Sequence, residues 1–466
     1  MKLNKQLLGI AASAALTLPV LANAAATIVV VNANAPGVGF NDVTPAAPVG
    51  GNAGTTLGEQ RLIAFQKAAD VWGASLTSEV SIRVQASMEP LTCTANSAVL
   101  GSAGPMTIFR DFPGAPMAAH WYHSALADKI SGVDNDTAGN DIRARFNSRL
   151  GQPDCLATSP FYLGLDANHG TAIDLVTVLL HEFGHGLGFS NVTSGSTGNQ
   201  FAGFPSMWDP FLYDLTLNKN WEQMTAAERV SSGINGRKVV WTGNNVSALL
   251  PSVLTLGTPR LSVSAPATLF GDYLVGAASF GPAIAAPGLS GTVMPISTDG
   301  CAPLTSANAL AVNGNIALIN RGVCGFAIKV KNAQNAGAIG VIIADNVAGT
   351  PPAGLGGVDA TVTIPSVRIT LADATALRTA LTTRSRTSSA LKVNIGVNPN
   401  QFAGADVGGR MLMFTPSPFQ SGSSVSHWDT SATRNQLMEP SISADLTHSV
   451  AAPEDLSKAL MTDLGW

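Results

Sequence analysis

The sequence predicts an α+β fold: a mixed, twisted sheet carrying helices, interrupted part-way by a separate α/β body. Three features lead there. Strand-like segments with one apolar face flank an amphipathic helical segment near the N-terminus. A strongly apolar helix in mid-chain bears two histidines. Between residues 258 and 395 the composition shifts, with almost no His, Trp or Glu, and the earlier style then returns. The expected division is a leader at 1–24, a first part at 25–257, an insert at 258–395 and a second part at 396–466.

The leader reads "MKLNKQLLGIAASAALTLPVLANAAA". Lys2 and Lys5 form a basic start, Leu7 to Leu21 is apolar, and Ala22-Asn23-Ala24 is a small-x-small cleavage site. This is the pattern of a secretory signal. No later apolar run is long enough to span a bilayer. The expected product is a soluble exported protein, extracellular or periplasmic. The net charge of −4 becomes more negative once the two lysines leave, so nucleic acid is excluded as a partner. With 45% hydrophobic and 12% charged residues over 466 positions, two or three folded domains are expected rather than disorder.

After the leader, "ATIVVVNA" reads as a strand. "GEQRLIAFQKAADVWGASL" reads as a helix with Leu62, Phe65, Ala69 and Trp72 on its buried stripe. "VSIRVQASM" alternates like a half-buried strand. "ADKISGVDNDTAGNDIRARFNS" reads as polar and turn-rich; its Asp134, Asp136 and Asp141 hint at calcium, but their spacing does not match an EF-hand loop. In "TAIDLVTVLLHEFGHGLGF", Thr171 and Asp174 have capping-box spacing. Val176, Leu179 or Leu180, Phe183 and Leu187 form the inner stripe, and Gly186 and Gly188 mark the end. Inside the insert, "GNIALINRG", "GFAIKVKNAQNAGA" and "IGVIIADN" predict a β-α-β passage. "ATVTIPSVRIT" and "LADATALRTAL" add a strand and a helix, and "PEDLSKALMTDLGW" is a closing helix.

Export permits disulfides. Pairing within each proposed unit gives Cys93–Cys155 and Cys301–Cys324, with free buried thiols as the alternative.

The chemistry centres on "HEFGH". Histidines at i and i+4 lie one above the other on a helix, so His181 and His185 can grip one Zn²⁺, with Glu182 beside them as a base. A third protein ligand is needed. Asn191, three residues after Gly188, is a neutral amide and a poor zinc donor. Glu222 or Glu228 would suit a thermolysin-like set, and His427 is a further candidate. His169 could support a ligand and His448 could face substrate, although both also read as ordinary loop histidines.

"HEFGHGLGF", followed much later by "SHWDTSATRNQLMEP", resembles the metzincin zinc peptidases of the leishmanolysin type. The resemblance implies a zincin-like catalytic fold with one catalytic Zn²⁺ on His181, His185 and His427. It makes Glu182 the general base, Gly188 the helix-ending glycine and Met438 the floor of the site. The metal would lie in a cleft between 25–257 and 396–466, acting on protein or peptide substrates. "CAPLTSANALAVNGNIALINRGVCGFAIKVKNAQNAGAIGVIIADN" with "TIPSVRIT" resembles a protease-associated (PA) domain, a lid, substrate-binding body or spacer in which Arg321 and Lys329 are not catalytic. The competing expectation is an exported binding protein with a structural metal and a PA-type interaction domain. A structural site calls for four closed ligands, often Cys, and no Cys lies near the motif.

Overall fold

A computed structural model of the chain describes residues 24–466, apart from 138 and 444; all but the last residue of the expected leader lie outside it. Among the described residues no helix is long and apolar enough to cross a membrane.

The first part opens with β1 (Ile28–Asn32), α1 (Leu57–Ser75), β2 (Ile82–Glu89) and β3 (Gly101–Pro105). A short antiparallel pair follows, β4 (Ile108–Phe109) with β5 (Tyr122–His123), then α2 (Ser124–Ser131) and β6 (Ile142–Asn147). The sheet order is β1-β2-β6-β3, with β3 as the antiparallel edge of an otherwise parallel set. Two expectations change here. The stretch expected to be turn-rich contains the end of α2 and all of β6, because Ile142, Ala144 and Phe146 alternate inward. On α1 the buried face holds Phe65, Ala69 and Trp72 as expected, but also Ala64 and Ala68, while Leu62 is 39% exposed. Small side chains let α1 lie close to the later helix that carries Leu180, and Trp72 Nε1 donates to Leu180 O across that contact (2.9 Å).

A short parallel pair, β7 (Phe161–Tyr162) and β8 (Ile173–Asp174), delivers the chain into α3 (Leu175–Leu187). That pairing displaces the expected capping box. Thr171 lies outside the helix, and Asp174 is itself the N-cap, accepting from Val176 N (3.0 Å). Every residue of α3 is buried, so its apolar stripe extends all round.

Next come β9 (Leu212–Asp214), β10 (Lys219–Asn220), α4 (Ala226–Ser232), β11 (Val239–Trp241) and α5 (Asn244–Val253), the three strands forming a small sheet. The chain then enters an eight-stranded sheet built from β12 (Leu256–Ala265), β13 (Gly271–Leu274), β14 (Gly276–Ala277), β15 (Leu289–Pro295), β16 (Ile316–Asn320), β17 (Gly340–Ala344), β18 (Ser366–Ile369) and β19 (Lys392–Phe402). Helices α6 (Ser306–Val312), α7 (Phe326–Asn335) and α8 (Leu371–Thr379) accompany it. β15 to β18 pair in parallel, and two separate apolar clusters form here, one containing Val367 and Leu377, the other Val330 and Val341. β12 and β19 run antiparallel from Leu256↔Phe402 to Ala265↔Lys392, so the chain leaves and returns side by side.

Beyond β19 the chain rejoins the first part. Met411 and Met413 bond along β11, through Trp241 N to Met411 O (2.8 Å) and Met413 N to Val239 O (2.9 Å). Trp428, Met438 and Leu460 of the last helix, α9 (Ser457–Leu464), belong to the same apolar cluster as Phe65, Trp72 and Leu180. One core therefore draws on both sides of the eight-stranded body. Both expected disulfides form, Cys93–Cys155 and Cys301–Cys324.

Candidate metal centre

His181 and His185 project from one side of α3, and His427 reaches them from 242 positions beyond His185. The three Nε2 atoms lie 3.1, 3.1 and 3.2 Å apart. Each ring is anchored through its other nitrogen to a backbone carbonyl: His181 Nδ1 to Leu437 O (2.8 Å), His185 Nδ1 to Phe189 O (2.7 Å) and His427 Nδ1 to Ser423 O (2.8 Å).

These anchors fix the chemistry. A carbonyl oxygen only accepts, so each Nδ1 carries the proton and, in a neutral ring, each Nε2 carries a lone pair. Burial pushes the His181 pKa down to about 4. Burial, then the neighbouring His181, pushes His185 down to about 3. Burial with the two other rings holds His427 well below its usual range. Three buried lone pairs therefore converge with no proton among them, an arrangement that a cation satisfies. Donors around a tetrahedral Zn²⁺ at about 2.0–2.1 Å lie roughly 3.3 Å from one another, close to the spacing seen. Among the described residues, these three form the cluster of His, Cys, Asp or Glu groups able to share an ion.

Glu182, which follows His181 on α3, is buried as well. Burial raises its pKa to about 8, and the Ala103 backbone N–H of β3 acts in the opposite direction.

Two further features of the motif have structural causes. Gly188 ends α3 at φ 137°, where a side chain would be strained. Met438 is fully buried against the helix; a Cβ on Gly184 would fall 2.9 Å from its Sδ. Its neighbour Leu437 is held at both ends, its carbonyl by His181 and its N–H by Asp455 Oδ2 (2.6 Å).

The other candidates lie elsewhere. Asn191 is a strut. Its N–H donates to Ser426 Oγ (3.1 Å), its Nδ2 to the buried Asp209 (3.1 Å), and its Oδ1 accepts from Thr193 N (2.8 Å). Glu228 caps α4 and pairs with Lys219 (2.6 Å), while Glu222 sits 3.5 Å from His120, so no thermolysin-like set forms. His169 bonds only within its own loop, to Ala172 O (2.7 Å). His448 pairs with Asp174 (2.6 Å) at the start of α3, more than a helical turn before His181. Asp134 closes a turn through Asp136 N and Thr137 N, and Asp141 takes Arg83 N. With Asp128 these carboxyls lie near enough that, after burial, Asp134 and Asp128 raise Asp136, and Asp128 and Asp136 raise Asp141, without meeting as tightly as the three histidines do. Arg321 and Arg368 pair with Asp345, and Lys329 bonds Asp299 O, all within the eight-stranded body.

Sequence reasoning missed His123 and Ser190, which adjoin His185: His123 Nε2 lies 2.7 Å from Ser190 Oγ, which donates to His185 O (3.4 Å). Neither belongs to a motif, so spacing carried no signal for them. Asp455 could have been suspected from "PEDL", an acidic residue just ahead of a helix.

Residues 287–377 match the PA domain family. The chain is similar to two curated proteins over short stretches. It is 37% identical over 132 residues to "Probable lipoprotein aminopeptidase LpqL" of Mycobacterium tuberculosis, covering 28% of this chain and 22% of that one. It is 55% identical over 53 residues to "ER degradation-enhancing alpha-mannosidase-like protein 3" of Homo sapiens, covering 11% and 6%. A solved zinc aminopeptidase from Bacillus subtilis, BSAP, aligns at 24% identity and a TM-score of 0.23, over 34% of this chain and 37% of its own. The chain thus spans less than a quarter of the curated relatives named here. What the comparisons establish is that it carries a PA domain.

Proposed function

We propose that this chain is an exported zinc-dependent endopeptidase, with His181, His185 and His427 as ligands and Glu182 as general base, in the arrangement of leishmanolysin-type metzincins on a zincin-like catalytic fold split by an insert at 258–395. One observation carries the reading: three unprotonated, buried Nε2 atoms converge within 3.2 Å of one another, and the residue after His181 on α3 is a buried glutamate. A Zn²⁺ bound there supplies Lewis acidity toward a peptide carbonyl and acidifies a water.

The chain's own groups do the rest. The carbonyls of Leu437, Phe189 and Ser423 keep the Nδ1 protons in place, so all three Nε2 atoms stay free to donate. Glu182 takes the proton of the attacking water and returns it to the departing amine nitrogen. Met438 fills the space beneath α3 and holds the Leu437 carbonyl in register with His181. Among the described residues the cluster offers three ligands, which would leave a bound Zn²⁺ room for a water or substrate oxygen, whereas a closed structural site would use four. Two disulfides fit an oxidising compartment outside the cytosol. The stretch shared with a protein named as an aminopeptidase agrees with work on peptides.

Glu182→Gln tests this. The variant should bind zinc like the parent and lose roughly 10²–10⁴-fold in peptide hydrolysis, the usual worth of a general base. Unchanged hydrolysis would overturn the assignment.

A further inference from the structure

The two disulfides sit in unlike surroundings. In the first, Cys155 is fully buried, and the neighbouring Arg149 pairs with Asp154. In the second, Cys301 and Cys324 are both partly exposed. Against Cys301 stands Lys329 of α7, whose side chain is fully buried. Its Nζ donates to Cys301 Sγ (3.4 Å) and to the Asp299 carbonyl. Burial lowers the lysine pKa, and the Asp299 carboxylate only partly offsets this. A thiolate on the adjoining sulfur would complete the counter-charge.

Cys324 ends a strained turn. Its N–H closes on Gly322 O (2.9 Å) around Val323, whose φ is 69°. A β-branched residue is an outlier in that region. Val323 is also 86% exposed, so its packing offsets little of the strain. The segment leading to Cys301 is held independently of the crosslink. Lys329 holds Asp299 O, and Asn332 Nδ2 donates to Gly300 O (2.9 Å). Opening the S–S bond therefore leaves Cys301 beside the ammonium and lets the turn at 322–324 relax.

We infer that Cys301–Cys324 is a redox-responsive crosslink, opened by a dithiol, small or protein-borne, with Cys301 as the leaving thiolate, while Cys93–Cys155 is permanent. The attacking thiolate bonds to Cys324 Sγ, the S–S bond breaks, and its electron pair leaves on Cys301 Sγ. The reagent's second sulfur, as thiolate, then displaces Cys324, which takes up a proton. The dithiol is oxidised to a disulfide by two electrons, its other proton passing to solvent, and the crosslink is reduced. The inference does not depend on the metal centre.

The test equilibrates the full-length protein with graded ratios of reduced to oxidised dithiothreitol at pH 7.5. Free thiols are then alkylated and each pair is quantified by peptide mass spectrometry. Cys301–Cys324 should open at a ratio roughly 10-fold or more below that of Cys93–Cys155, with near-ultraviolet circular dichroism unchanged. Lys329→Met should raise its opening ratio roughly 10-fold. Val323→Asn, which tolerates the left-handed region, should raise it roughly 5-fold or more. With glutathione, the mixed disulfide should form on Cys324. In the reduced parent, Cys301 should alkylate with a pH midpoint below the usual thiol value of about 8.5, and Lys329→Met should return it there. A lysine that only packs would leave that midpoint unmoved. The parent's own profile serves if Lys329→Met does not fold. Both pairs opening together, a parent midpoint at or above about 8.5, or the adduct on Cys301 would overturn the inference.

Discussion

Arg237 Nε lies 3.3 Å from Asp429 Oδ1, with both side chains buried. Asp429 follows His427 by two residues, and its Oδ1 also accepts from Ser431 N (3.0 Å). The same guanidinium donates through Nη1 to Val275 O (3.3 Å), between β13 and β14 of the eight-stranded sheet. Nearby, Thr350 and Ser417 exchange backbone hydrogen bonds (3.1 and 2.7 Å). The PA-bearing body is therefore docked onto the segment that carries His427, not merely tethered by β12 and β19. Removing the cation leaves the Asp429 carboxylate buried and unpaired. Arg237→Ala should cost about 3–5 kcal/mol in a chemical denaturation series, and Arg237→Lys less, because a point charge cannot serve both partners as the guanidinium fork does. A loss in Arg237→Ala below about 1 kcal/mol, the worth of an exposed pair, would show that the contact does not brace the fold.

His427 and Asn191 should separate cleanly in metal binding. His427→Ala removes one of three converging donors, so its zinc affinity should fall by more than the roughly 10–100-fold that losing an outer-shell partner costs. Asn191→Ala keeps the backbone N–H that reaches Ser426 and loses only the amide bonds to Asp209 and Thr193. It should bind zinc normally and lose about 1–2 kcal/mol of stability. Chelator competition on the two variants decides; equal affinities would remove His427 from the ligand set.

How far the site could be read from sequence follows from how local each part is. His181, Glu182 and His185 stand on one helix, where spacing alone dictates geometry. His427 is joined to them only by the fold, so residue type and spacing left Glu222 and Glu228 equally open until the His-Trp and Met resemblance favoured it. The carbonyls of Leu437, Phe189 and Ser423, which fix all three tautomers, are backbone groups that any residue supplies, so no sequence pattern marks them. Periodicity gave α1 its buried face but misjudged the centre. Leu62 looked like a core residue, yet close approach to α3 favours the small Ala64 and Ala68. Asp141 looked solvated because its neighbours are polar, but it immediately precedes β6, whose inward residues bury it, and its carbonyl accepts from Ser124 Oγ at the start of α2.

That burial makes stability depend on pH. Asp141 is raised to about 7, first by burial and then by the adjacent Asp128 carboxyl, with Arg83 N–H acting against both. In the unfolded chain an aspartate releases its proton near pH 3.9. The folded state thus binds the proton more tightly, so the contribution is complete below about pH 4 and is lost as pH rises through about 7. Asp141→Asn keeps an acceptor for Arg83 N and removes the titration. The stability difference between variant and parent should shift in favour of the variant from about pH 4.5 to about pH 7.5, read from denaturation midpoints. A difference that stays constant across that window would mean Asp141 ionises in the fold as it does in water.

Gly184 offers the sharpest test of the floor beneath the metal. Replacing a glycine inside a helix with alanine ordinarily stabilises by about 1 kcal/mol. Here the new Cβ would fall 2.9 Å from Met438 Sδ, 3.3 Å from its Cε and 3.4 Å from Trp72 Cζ2, all in a closed interior. The sign should therefore reverse, with Gly184→Ala costing about 1–3 kcal/mol as the core is overpacked. Zinc affinity should fall with it, because displacing Met438 moves the Leu437 carbonyl that holds the His181 Nδ1 proton. Met438→Ala opens space at the point of conflict, so the double variant should lose less than the two single losses combined, by roughly 0.5–3 kcal/mol of coupling. Additive losses, or a Gly184→Ala protein more stable than its parent, would mean that Met438 only fills space and that the approach of its sulfur to the zinc helix is incidental.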